Sequence, residues 1–170
     1  MIFKLNDITL NVDIEKTRQY YEHIRVITDG CSCDGCCNFF LGTEKIDMEI
    51  LNFFSNLGID IQKPAEIMVC CKEDTGNAIF YEGFYHICGK ILTGNDCWKS
   101  AGNCSDETSA YTICDENLYH VSKDLAVGFS NNIALFDKSA FKESEFPMPV
   151  IQMEIFFHNF PWVLDKTNKY

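Results

Sequence analysis

The chain has 170 residues, 46% of them hydrophobic, with 14 basic against 25 acidic side chains and a formal charge of −11. A chain of that length buries about two-thirds of its unfolded surface in one core, so a single domain over residues 1–170 is expected. The acidic balance argues against nucleic acid and anionic membrane surfaces as partners, and it suits either solubility or docking to a basic protein.

No apolar run approaches the ~20 residues of a bilayer span. The opening "MIFKLNDITLNVDIEK" alternates apolar and polar residues and has no basic head followed by an apolar stretch, so it does not read as a secretory signal and a cytosolic location is expected. Ten cysteines fall below the density that marks a secreted disulfide scaffold. Reducing conditions keep such cysteines as thiols, and a tight cluster then points to metal or redox chemistry.

In chain order, residues 2–12 read as one strand by alternation, and Asp13 caps a helix in which Ile14, Thr17, Tyr21 and Ile24 share a face. The segment "CSCDGCCNFF", residues 31–40, reads as the loop that follows. Thr43 is the predicted cap of a second helix that carries Ile46, Ile50, Phe53, Phe54 and Leu57 on one face and ends at Gly58. Beyond Pro64, "EIMVCC" and "AIFYEGFYHICGKIL" form a hairpin around "KEDTGN", and further strands are expected in "AYTICD", "LAVGFS", "NIALF" and "VIQMEIFF". In the last of these Ile151, Met153, Ile155 and Phe157 share one face. Parallel sheets need helical crossovers that the second half of the chain lacks. The expected fold is therefore α+β, with two N-terminal helices packed on a mainly antiparallel sheet of about six strands. The one long irregular loop, "TGNDCWKSAGNCSDETS" at 93–109, is the candidate lid or contact surface.

Chemistry concentrates in Cys31, Cys33, Cys36 and Cys37. Asp34 and Gly35 favour a tight turn between Cys33 and Cys36, which lets both sulfurs converge on a tetrahedral ion at the ~2.3 Å typical of zinc. Cys31, two residues upstream on extended backbone, can point back to the same centre. Cys71 is the favoured fourth ligand, ahead of His86, with Cys70 and Cys37 as further candidates, because a local loop is commonly closed onto a sheet by a strand residue. With no fourth protein ligand, water at the open position would give the site a catalytic form. Inert thiols are the bland alternative; that fits Cys88 and Cys114 in apolar strands but not the polar turn "CSCDGCC". A redox reading would pair Cys33 with Cys36, yet the apolar helical period resumes only after Thr43, and the Asp34 carboxylate disfavours a thiolate. Cys97 and Cys104 form a second pair at a spacing that matches no particular chemistry.

Within "FYEGFYH", Tyr81, Gly83 and Tyr85 share one strand face, opposite Phe80, Glu82, Phe84 and His86. A groove at Gly83, with Glu82 and His86 as acid and base, competes there with ordinary core packing. His23, His120 and His158 read as surface or hydrogen-bonded histidines, and "FPWVL" as an edge segment in which Trp162 packs. Neither a G-x-S-x-G elbow nor a glycine-rich phosphate loop occurs, so serine and nucleotide hydrolysis have no support.

The order of "CSCDGCCNFF", "LNFFSNLGIDIQKPAEI", "YEGFYHICGKI" and "FPWVL" resembles a family of uncharacterised bacterial proteins of similar length, across most of the chain. The family pattern C-x-C-x-x-C-x-N-aromatic is matched by Cys31, Cys33, Cys36, Asn38 and Phe39; a basic residue is usual where this chain has Cys37. The resemblance implies that the cluster works as a unit and carries no activity with it. The sequence therefore points to a cytosolic α+β domain with a zinc site at Cys31, Cys33, Cys36 and Cys71 that binds a protein partner. The alternative is a zinc- or thiol-dependent enzyme using the same cysteine loop.

Overall fold

The structure, a computed structural model, describes residues 1–74, 77–100, 111–131 and 146–170. The predicted strand "NIALF", Cys104 and most of the irregular loop lie outside the described residues. The chain opens with a hairpin of β1 (Ile2–Leu5) and β2 (Ile8–Val12), in place of the single strand expected. Asn6 turns it with a φ of 53°, and a two-residue turn leaves the alternation of apolar residues in phase on both sides, which is why the break is invisible to periodicity. Four helices follow before the sheet resumes: α1 (Ile14–His23), α2 (Ile27–Gly30), α3 (Asp34–Gly42) and α4 (Met48–Asn56). The remaining strands are β3 (Glu66–Lys72), β4 (Ala78–Thr93), β5 (Trp98–Ser100), β6 (Tyr111–Ile113), β7 (Tyr119–His120), β8 (Leu125–Ser130) and β9 (Val150–Pro161).

Mixed helix and sheet is as expected, but strands start the chain, and the segment holding the cysteines turns helical at Asp34. Seven strands form one antiparallel sheet in the order β1-β2-β4-β9-β8-β7, with β3 also paired to β4, while β5 and β6 form a separate ribbon. Among the described residues no helix is long and apolar enough to cross a membrane.

The 16-residue β4 organises the fold. One edge pairs with β9 along most of its length; the other is shared, with β3 covering Ile79–Phe84 and β2 covering Gly89–Thr93. Between them, among the described residues, the backbone of His86 and Cys88 meets α1 on that edge in place of a strand. Tyr21 Oη donates to the His86 carbonyl at 3.0 Å and accepts from its N–H at 3.2 Å. Thr17 Oγ1 accepts from Cys88 N–H at 3.0 Å, and Asp13 N–H donates to the Cys88 carbonyl at 2.8 Å. Buried backbone groups must be paired, so the predicted α1 face carries two hydroxyls that finish a sheet edge. Asp13 caps the helix as expected, accepting from Lys16 N–H at 3.1 Å.

The core lies between α3, α4 and the inner face of the sheet. Phe39 meets Tyr81 at a centroid distance of 5.3 Å, and Phe54 meets Tyr85 at 5.0 Å. Ile151, Met153, Ile155 and Phe157 are all buried, as their alternation predicts. Thr43 does not open α4: its hydroxyl donates to the Phe40 carbonyl at 2.7 Å and closes α3. Gly58 does end α4 at φ +81°, where a Cβ would sit 2.6 Å from the Ile14 carbonyl oxygen.

Candidate metal centre

The cysteine segment is extended only as far as Cys33, whose backbone (φ −69°, ψ 159°) makes it the N-cap of α3. Its Sγ accepts from Cys36 N–H at 3.4 Å, so a sulfur takes the place of the usual capping oxygen. Cys31 precedes it on extended backbone, with φ −145° and ψ 123°. The outcome is that the Sγ atoms of Cys31, Cys33 and Cys36 lie within 4.8 Å of one another. A tetrahedral zinc with bonds of ~2.3 Å needs sulfurs about 3.8 Å apart, so a small contraction around an ion closes the set.

The three thiols differ in exposure: Cys33 is exposed, Cys31 half-buried and Cys36 buried. Hydrogen bonding from the Cys33 backbone, helped by the neighbouring sulfurs, lowers the Cys31 thiol below its usual range. Burial first, and then the sulfur contacts, push Cys36 well up. The positive end of the α3 dipole also favours anionic sulfur at its first turn.

Rigid partners hold that turn. Tyr81 Oη donates to the Gly35 carbonyl at 2.8 Å, and Gly35 N–H donates to Tyr170 Oη at 3.0 Å. A Cβ on Gly35 would meet Val69 Cγ2 at 2.8 Å, so glycine permits the helix to approach β3 this closely. Asn38 is fully buried and donates to Tyr81 Oη at 3.2 Å and to the Pro161 carbonyl at 3.0 Å, while its Oδ1 accepts from Val163 N–H at 2.7 Å. Lys166 pairs with Asp34, which offsets the carboxylate charge expected to disfavour thiolates. The "FPWVL" segment thus wraps the cysteine turn, with Trp162 Nε1 donating to the Lys166 carbonyl at 2.8 Å.

Of the sequence-predicted ligands, the fold brings Cys31, Cys33 and Cys36 together and leaves Cys71 apart. The ladder between β3 and β4 shifts register between Val69 and Cys71, and Cys71 then pairs with Phe80. Cross-strand partners point to the same face, and Phe80 lies on the face opposite Tyr81 and α3. Cys70 follows it there: burial and the Glu82 carboxylate raise its thiol to about 11. His86 shares the strand face of Phe84, with ring centroids 5.6 Å apart, again away from the cysteines. Cys37 stays on α3, half-buried and outside the sulfur group. Among the described residues no fourth His, Cys, Asp or Glu joins the group.

Other expectations resolve simply. Gly83 does not open a groove between the tyrosines, because a Cβ there would lie 2.3 Å from the Glu66 carbonyl oxygen of the adjacent strand. Cys88, Cys97 and Cys114 are buried thiols, with Cys97 pushed up chiefly by burial. His158 hydrogen-bonds Glu73 at 2.9 Å and stacks on Phe80 at 4.2 Å, and His23 bonds the Gln19 carbonyl at 2.6 Å. Sequence reasoning missed the helix behind Cys33 and the clamp made by Asn38. The first has a signal, the polar "CSCD" followed by the apolar "NFFL"; the second has none without the distant strand.

Searches for related proteins return nothing: no family model matches the chain, and no curated protein or solved structure matches it.

Proposed function

We propose that the chain is a cytosolic domain stabilised by one zinc ion on Cys31, Cys33 and Cys36, and that it acts by binding a protein partner. The observation that carries this reading is the grouping of three sulfurs from one six-residue span around one point, on a turn clamped by Tyr81, Asn38 and Tyr170. Water, or a donor brought by the partner, fills the fourth position. An enzymatic site would want that open position beside a cavity. A cavity of 870 Å³ lies on the other face of the sheet, and among the described residues that line it none of the three cysteines appears, which favours a structural ion.

Metal analysis of protein purified without added zinc tests the reading, together with Cys33→Ser. One equivalent of zinc is expected, lost in the variant along with on the order of 10 °C of melting temperature, since binding free energy at a structural site is folding free energy. Wild-type protein that purifies without metal and whose melting temperature does not rise on adding zinc sinks the proposal.

A second reading is favoured by the N-cap position of Cys33. An exposed sulfur capping a helix, with a buried thiol one turn behind it, suits dithiol exchange. Cys33 would attack a partner disulfide, and Cys36 would then displace the reduced partner, leaving a Cys33–Cys36 disulfide here and two thiols there. Titration of metal-free protein against a glutathione redox buffer, read by thiol alkylation, would show a two-electron transition lost in Cys36→Ser.

A further inference from the structure

The outer face of the sheet carries a second site. Cross-strand pairing sets its side chains in rows: Glu66, Phe84 and Glu154 in one, Met68, Glu82, Phe156 and Ala126 in the next. Carboxylates and phenyl rings alternate along and across the strands, and the ribbon of β5 and β6 walls one side with Trp98, Tyr111 and Ile113. The trench encloses 870 Å³, within the range of ligand-binding clefts. Among the described residues Glu66, Glu82, Asp115, Asp124 and Glu154 line it, against a single lysine, Lys123.

Two features say what belongs there. Glu154 is only 6% exposed, yet its Oε1 is held in place by Trp98 Nε1 at 3.0 Å and Gln152 Nε2 at 2.6 Å, an arrangement that orients a carboxylate at the trench floor. Burial, with nearby Asp96 and Glu82 adding to it, makes that carboxylate harder to ionise, a cost that a cation in the trench would relieve. The acidic groups do not converge as metal ligands do: among the described residues the cysteines form the one such group. Spread carboxylates interleaved with aromatic faces fit a planar organic cation, which stacks on a ring while pairing with an acid.

We propose that this trench docks an extended, arginine-bearing segment of a protein partner, with guanidinium groups stacked against Phe84 and Phe156 and paired with Glu82 and Glu154. Glu82 stands beside Phe156, two residues along β9 from Glu154, so the two carboxylate rows are about 6.8 Å apart. Alternate side chains of an extended peptide have the same spacing. The chain's charge of −11 brings such a segment in, and the rows set its register. This deepens the protein-binding reading by naming the face and the chemistry, while remaining independent of the ion on the opposite face.

The test is calorimetric titration of the folded full chain with the blocked pentapeptide acetyl-Ala-Arg-Ala-Arg-Ala-amide at low salt. Submillimolar binding is expected, weakened about tenfold by Glu82→Gln and about threefold by Phe84→Leu, with circular dichroism confirming the fold of each. Glu15→Gln, which removes the same charge from exposed α1, should change affinity less than twofold. Equal losses in the two glutamate variants would mean diffuse attraction only, and equal binding of the citrulline peptide would remove the role of charge; either overturns the proposal. So would spermidine binding as tightly as the peptide, since that marks a small-amine pocket, and so would a flat titration. Cys33→Ser separates the two readings: lost zinc with unchanged peptide binding leaves this site standing, whereas zinc-loaded wild type with a flat titration removes this site alone.

Discussion

The two faces of the β4 strand carry opposite chemistry. On the inner face Tyr81 and Tyr85 are fully buried, and each donates its hydroxyl to a backbone carbonyl, Gly35 of α3 at 2.8 Å and Ile61 of the turn after α4 at 2.7 Å. On the outer face Phe80, Glu82 and Phe84 are half-buried and line a cavity. A buried hydroxyl without a partner costs more than a hydrogen bond gains, so the inner face is fixed by satisfaction, and a change at Tyr81 reaches the cysteine turn through Gly35. The outer face faces water, and its residues are freer to serve recognition.

The sharpest way to break this contrast is Asn38→Ala. It empties a fully buried site and orphans the half-buried Val163 N–H and Pro161 carbonyl, and chemical denaturation should show a loss of about 3 kcal/mol, with weaker zinc retention. A stable variant with full zinc would mean that the clamp is incidental.

Acid acts next, on a residue of the outer face that is buried beyond the trench. Burial holds His86 down at about 4, with the Gln152 contact opposing it. A folded value below the unfolded ~6.5 means that the unfolded chain binds the proton more tightly, so stability present above pH 6.5 falls as pH drops towards 4, by up to about 3 kcal/mol. His86→Gln should flatten that limb of a denaturation series. Glu154 acts in the opposite sense: burial raises it, so its contribution is greatest at low pH and declines as pH rises through its folded value.

Thr17→Val keeps the shape but removes the acceptor for Cys88 N–H, and about 1 to 2 kcal/mol should be lost from thermal or urea unfolding. The smallest effect belongs to the outer face. Glu82→Gln should shift stability by no more than about 0.5 kcal/mol while weakening arginine-peptide binding tenfold, and a large destabilisation there would erase the distinction between the faces.

Legibility followed the range of the interactions. Asp13 as a cap, Gly58 as a helix end and the buried row from Ile151 to Phe157 depend on neighbours within a turn or along one strand, and each was readable. Cys71 was not placed correctly by alternation, because a register shift between Val69 and Cys71 breaks the two-residue period. Thr43 looked like the start of a helix and is the end of one, since a hydroxyl can donate to the turn behind it as readily as it can accept from the turn ahead.

The spacing of Cys31, Cys33 and Cys36 by itself determined that three sulfurs could meet, because two short intervals of backbone leave little room for them to part. The helix starting at Asp34, the clamp of Asn38 and Tyr170 on that turn, and the side of the sheet on which Cys70, Cys71 and His86 emerge were decided only by tertiary structure. The physical reason is that each depends on pairing between residues far apart in the chain, here as many as 135 positions between Gly35 and Tyr170. Only closure of the sheet and docking of the C-terminal segment bring such partners within hydrogen-bonding distance.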